Sequence, residues 1–290
     1  MNGQTQGRNQ TQGSNQTQGR LTELTEQLRQ AGIKPLVPFL TAGFPDEKTF
    51  IGVLKGAAAA GCPLIEIGIP FSDPVADGPV IQASSQHVLS QGMTLRRTLE
   101  LAHEARQMGL AVVLMGYLNP ILKMGVAEFA VACAEAEVAG VIIPDLPSEE
   151  SVKIRQLLLA QGTDLVDLVA PTTDPTRLGH TTKVASGFLY LVSTTGVTGV
   201  TAAGTATGTS LPEYVARVRE KSDLPLYVGF GIATPEQAAL VAQVADGAIV
   251  GSALIRRISE AASPDEAITA ASEFLLTMVA AMNLQKGSAS

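Results

Sequence analysis

Between Leu36 and Val250 the chain repeats one unit: a short run of Val, Leu, Ile and Ala, then a longer stretch with helical spacing. The predicted strands are Leu36–Thr41, Leu64–Ile69, Ala111–Gly116, Val138–Ile143, Leu165–Ala170, Gly187–Val192, Leu226–Gly229 and Gly247–Val250. A starting helix over Leu21–Gln30 precedes them, and helical stretches such as Lys48–Ala60, Leu95–Gln107, Val126–Ala136, Ser148–Ala160 and Pro235–Val244 lie between. Two of these open with start signals, "PSEE" at Pro147–Glu150 and "TPEQ" at Thr234–Gln237, where a hydroxyl caps and acids fill the first turn. Eight β-then-α units in roughly 250 residues predict an α/β chain closed into a (β/α)8 TIM barrel, with the starting helix as an extra N-terminal element. A doubly wound sheet is the runner-up, but no G-x-G-x-x-G follows a strand, and eight regular units favour closure.

Composition narrows what such a domain can do. Hydrophobic residues make up 46% of the chain and aromatic ones only 4%, so the core must be aliphatic. The net charge of −7 argues against a nucleic-acid or anionic-membrane surface, which would need clustered Lys and Arg. Cys62 and Cys133 form no CxxC pair, and they read as small buried hydrophobes in a reducing compartment. His87, His103 and His180 lack ligand spacing, so no metal site is expected. No apolar run reaches the roughly 18 residues that span a bilayer, and a cytoplasmic location is expected.

Residues 1–19 differ in kind. "QTQG" recurs at Gln4–Gly7, Gln10–Gly13 and Gln16–Gly19 with no apolar face. The segment reads as a disordered tail ahead of a single catalytic domain over residues 20–290. It has no apolar h-region, and its Gln/Gly content with few arginines fits a transit peptide poorly.

One strand carries a residue that does not belong in a core. In "LIEIGIPFSDPVADGP" (Leu64–Pro79), alternation puts Ile65, Ile67 and Ile69 on one face and Glu66 with Gly68 on the other. In a barrel the isoleucines would meet the outer helices. Glu66 would point inward near the C-terminal end, where barrel active sites lie. Desolvation there raises a carboxylate's pKa and suits it to acid–base work; the alternative is a structural Glu satisfied by hydrogen bonds or an ion pair. Asp77 lies in the loop after the same strand, and on local grounds it is as much a turn-former as a functional group. Asp73, before Pro74, reads as a turn-former. Two carboxylates from one strand–loop unit can work opposite sides of a small substrate.

Glycine-rich pieces mark the last strand ends: "GVTG" (Gly196–Gly199), "GFGI" (Gly229–Ile232) and "GSA" (Gly251–Ala253). Ser252 can start a short helix whose free N–H groups face an anion, and barrels frequently hold phosphate on these loops. An acidic protein can therefore hold phosphate without a cluster of cations.

Together these stretches resemble the tryptophan synthase α-chain family, from about Leu21 to the last helix. The resemblance rests on "PFLTAGFP" (Pro38–Pro45), "IEIGIPFSDPVADGPVIQ" (Ile65–Gln82), "VLMGYLNPI" (Val113–Ile121), "IIPDLPSEES" (Ile142–Ser151), "YLVSTTGVTG" (Tyr190–Gly199), "VGFGI" (Val228–Ile232) and "IVGSA" (Ile249–Ala253). It implies retro-aldol cleavage of indole glycerol phosphate to indole and glyceraldehyde 3-phosphate. Glu66 matches the acid–base residue, and Asp77 the carboxylate that takes the ring N–H. Phe39, Tyr117, Tyr190, Thr198, Phe230 and Ile249 match substrate-binding positions, though all but Thr198 also suit plain core packing. Gly199, Gly231, Gly251 and Ser252 match the phosphate-holding ones.

The family's partner is a β chain, expected in an α2β2 heterotetramer, and pyridoxal phosphate belongs to that chain alone. Phe71–Pro79 and Ile143–Pro147 would face it. The small residues of Val200–Ser210 replace the basic residue the family often carries, and suggest a mobile lid without a charged latch. Two rival readings are a stand-alone lyase releasing free indole and a catalytically silent activator of a β chain.

Overall fold

A computed structural model describes residues 19–193, 210–229 and 231–283. Eight strands form one closed barrel in chain order: β1 (Leu36–Thr41), β2 (Leu64–Gly68), β3 (Ala111–Met115), β4 (Gly140–Ile142), β5 (Asp164–Val169), β6 (Leu189–Val192), β7 (Leu226–Gly229) and β8 (Gly247–Val250). Every neighbouring pair is parallel, and the ring closes where Leu36, Val37 and Pro38 of β1 lie beside Ala248, Ile249 and Val250 of β8. The doubly wound alternative is thereby excluded.

The helices are α1 (Arg20–Gln30), α2 (Glu47–Ala59), α3 (Pro79–Ser90), α4 (Leu95–Gln107), α5 (Leu118–Met124) and α6 (Val126–Glu135) in the first half. The second half carries α7 (Val152–Ala160), α8 (Pro175–Val184), α9 (Leu211–Arg219), α10 (Pro235–Val244), α11 (Ser252–Glu260) and α12 (Pro264–Asn283). The capping box at Thr234 and Gln237 forms as its spacing predicts. The start at Ser148 does not. Ser148–Glu150 is a 3-10 turn, α7 begins only at Val152, and the Ser148 hydroxyl pairs with Thr181 Oγ1 at 3.0 Å instead of capping. A tertiary hydroxyl partner displaced the local one.

The tail expected over residues 1–19 lies outside the described residues except for Gly19. That residue is buried, is the N-cap of α1 and accepts the Glu23 N–H on its carbonyl. A Cβ there would fall 2.1 Å from Asp164 Oδ2, so Gly19 belongs to the packed fold and not to the tail. Ser210, taken as the end of the small-residue lid, instead caps α9 in a capping box with Glu213; the rest of that lid lies outside the described residues.

Alternation along the strands sorts the apolar residues into two layers. Ile65, Ile67 and Ile69 join Phe50, Leu54, Leu101 and Phe129 in the core between strands and helices. Leu64, Val113, Ile142, Val166, Phe188 and Tyr227 fill the barrel interior. Leu21 of α1 closes the bottom of that interior, fully buried, with its side chain in the space that Gly140 and Gly187 leave open. This packed floor leaves the opposite, C-terminal mouth as the place for a site.

Candidate active site

Glu66 lies inside the barrel, 1% exposed, between Phe39 of β1 and Val113 of β3. Among the described residues neither carboxylate oxygen has a hydrogen-bond partner. The structural alternative of a satisfied glutamate is therefore not met. A carboxylate deprived of water and of donors resists ionisation, and burial, with the Asp77 charge added, pushes the Glu66 pKa up to about 8.

Asp77 sits half-buried in the loop between β2 and α3. Burial raises its pKa to about 6, against the lowering pull of the nearby Tyr117 hydroxyl. That hydroxyl also accepts the Ala76 N–H at 2.9 Å. The Tyr117 ring in turn packs against Phe71 with centroids 5.3 Å apart. Tyr190, buried on β6, has its phenol raised well above the ordinary value, first by burial and then by the Glu66 and Asp77 charges. Glu66, Asp77, Tyr117 and Tyr190 thus form one electrostatic group.

The remaining candidates divide. Phe39 and Ile249 are buried in the interior layer. The Phe39 ring occupies the space over Gly68 and Gly251, where a Cβ would lie 2.6 and 3.2 Å from it, so those glycines make room for the wall beside Glu66. Gly231 holds a φ of +82°, a conformation that glycine alone adopts at little cost. Gly251 and Ser252 begin α11, where Leu254 and Ile255 N–H turn back to the Gly251 carbonyl. The first two N–H groups of a helix have no intrahelical acceptor and are available to an anion. Thr198, Gly199 and Phe230 lie outside the described residues.

Met115, Ile142 and Val166, not among the residues expected at the site, line the interior with Phe39 and Tyr190. Their inward alternation on β3, β4 and β5 was the available signal. Phe71, expected only to face a partner, packs its ring on Tyr117. A groove of about 750 Å³ between α3 and the α11–α12 turn, lined by Phe44, His87, Arg256 and Pro264, lies on the outside of the barrel and contains neither carboxylate. No cluster of three potential metal ligands occurs among the described residues, and none of their helices is long and apolar enough to cross a membrane.

Comparison with known proteins gives one consistent answer. A family model described as "Tryptophan synthase alpha chain" matches residues 25–283. A Chloroflexus aurantiacus tryptophan synthase alpha chain is 44% identical over 265 residues, covering 91% of this chain and 98% of the relative. One from Caulobacter sp. strain K31 is 50% identical over 235 residues, covering 80% and 84% respectively. A Legionella pneumophila tryptophan synthase alpha chain structure superposes with a TM-score of 0.81 at 36% identity, covering 93% of this chain and 99% of that one. A Mycobacterium tuberculosis tryptophan synthase structure gives 0.82 at 34% identity, covering 91% and 98%.

Proposed function

Since the chain belongs to the tryptophan synthase alpha chain family, we propose that it is the lyase of the tryptophan pathway that splits indole glycerol phosphate into indole and glyceraldehyde 3-phosphate. The observation that carries this reading is the buried Glu66 carboxyl, without a hydrogen-bond partner among the described residues and within electrostatic reach of Asp77.

The step needs a proton delivered to the ring carbon that bears the glycerol chain. Protonated Glu66 supplies it, and the ring becomes a positively charged, N-protonated indolenine whose N–H donates to the Asp77 carboxylate. The Glu66 carboxylate then takes the proton of the adjacent side-chain hydroxyl. The O–H electrons form the aldehyde carbonyl, the carbon–carbon bond breaks, and its electron pair returns to the ring to give indole. Glu66 ends as it began, protonated. Positioned acid–base groups of this kind contribute about 10²–10⁴ in rate each.

Phe39, Tyr117, Tyr190, Thr198, Phe230 and Ile249 would hold the substrate, and Gly199, Gly231, Gly251 and Ser252 its phosphate. The reading assigns no cofactor to this chain. Pyridoxal phosphate would act in a β chain that takes the indole, in a cytoplasmic α2β2 assembly reached through Phe71–Pro79 and Ile143–Pro147. Val75, 86% exposed in the first of these loops, offers an apolar contact for such a partner.

The test is indole release from indole glycerol phosphate, with and without a β chain, by the wild type and Glu66→Gln. Release that a β chain accelerates and that Glu66→Gln abolishes supports the proposal. Equal release with and without the β chain would make the protein a stand-alone lyase. No release in either condition would make it a silent activator.

A further inference from the structure

We infer that Tyr117 is a positioning residue whose hydroxyl ties the β2–α3 loop to the barrel and keeps the Asp77 carboxylate aimed and ionised. The inference rests on the reading of Asp77 as the acceptor of the ring N–H. Its basis is that the hydroxyl holds the loop backbone at the residue next to Asp77. Tyr117 Oη accepts the Ala76 N–H at 2.9 Å, and the same hydroxyl lies near enough to the Asp77 carboxylate to lower its pKa. A phenol can do both at once, because its single O–H donates while a lone pair accepts. The Phe71 ring, tilted 31° from that of Tyr117, packs the start of the same loop onto the same side chain.

Tyr117 itself is well held. It directly precedes α5, is 4% exposed, and its neighbour Leu118 donates its N–H to Asp145 at 2.9 Å. The loop it clasps is the less constrained partner, with Ser72, Asp73, Val75, Ala76 and Gly78 all exposed. Direction therefore runs from the barrel to the loop.

The chemistry fits that direction. The titratable groups facing this cluster are Glu66 from β2, Tyr190 from β6, Asp145 after β4 and Asp77 itself, all acids. None of them stabilises a carboxylate charge, and among the described residues Tyr117 is the neighbour that lowers the Asp77 pKa. Burial and the nearby carboxylates push the Tyr117 phenol up to about 12, so it stays a donor throughout the working range. Without that hydroxyl the Asp77 pKa would rise further, and a protonated carboxyl is a poorer acceptor for a ring N–H.

The test is the pH profile of kcat/KM for indole release in wild type, Tyr117→Phe, Asp77→Asn and the double variant. Tyr117→Phe keeps the ring against Phe71 and removes only the oxygen. It should lower kcat/KM about 10- to 100-fold, the range for a hydrogen bond to a charged group, and move the acidic limb to higher pH. In the Asp77→Asn background the same substitution should cost little further. An unmoved acidic limb with an undiminished loss in that background would overturn the inference and leave Tyr117 as a pocket wall, with the Asp77 reading intact. Full turnover in Asp77→Asn alone would overturn both, since the carboxylate charge at this position would then not be needed.

Discussion

Glu66 and Asp77 are separated by roughly two pH units in their readiness to ionise, at about 8 and about 6, and burial is the first cause of both values. Between those values Glu66 holds its proton and Asp77 has lost its own, the combination the proposed cleavage requires. The pair should therefore give a bell-shaped kcat/KM profile, with apparent limbs near pH 6 and pH 8 that belong to the coupled pair. Asp77→Asn should remove the acidic limb, and steady-state indole release across pH checks this. Stability carries a second signature. Glu66 has its pKa raised above its ordinary value of 4.5, so the native state binds more protons than the unfolded chain between about pH 4.5 and 8. The contribution of Glu66 to wild-type stability then falls as pH rises through that window. Glu66→Gln cannot ionise, so its melting temperature relative to wild type should climb from pH 5 to pH 8, by an amount equivalent to a few kcal/mol. A constant difference across that window would mean that Glu66 is not held neutral in the fold.

At the scale of an element, the start of α11 is where the proposed phosphate site can be tested cleanly. Gly231 is unsuited, because its φ of +82° makes any side chain a test of backbone strain as well as of phosphate. Ser252 is better placed as the first residue of α11. Proline is favoured at a helix's first position because the N–H it removes has no intrahelical acceptor, and Gly251, at φ −123° and ψ −81°, has the backbone freedom to take up the extended conformation that precedes a proline. Ser252→Pro should keep the helix and delete one donor to the phosphate. KM for indole glycerol phosphate should rise about 10- to 100-fold, with the slow cleavage of a phosphate-free analogue unchanged. Circular dichroism verifies the fold, and an unchanged KM would place the phosphate elsewhere.

For the whole molecule, closure of the barrel depends on α1 as its floor. Thr22 donates both its N–H and its hydroxyl to Asp164 at 3.0 and 2.8 Å, and Thr25 donates to the Gly187 carbonyl at 2.8 Å. These bonds fix Leu21 under the interior layer of Phe188 and Tyr227, whose rings stack at 4.4 Å. Leu21→Ala should open a cavity there and cost about 2–5 kcal/mol of stability, read by thermal or urea unfolding. Indole release measured well below the melting temperature should be unchanged, because the floor lies at the opposite end from Glu66. A parallel loss of turnover would show that the floor shapes the mouth.

The sequence by itself determined the eight-unit repeat, because a strand buried on both faces must be apolar and its period is visible without any partner. It also determined that Glu66 points inward, because alternation along Leu64–Gly68 follows from backbone geometry alone. The paired glycines that admit Leu21 and Phe39 were not legible, since each one's purpose lies in a side chain far along the chain. Ser148 read as a cap because capping is local; Thr181, 33 residues on, was the partner the fold supplied. The Tyr117–Ala76–Asp77 clasp joins two loops that become neighbours only when β2 and β3 pair. Whether Glu66 would be satisfied or left without a partner was likewise open until the barrel closed. What depends on one element's periodicity can be read along the chain, and what depends on which elements meet is decided only by the tertiary fold.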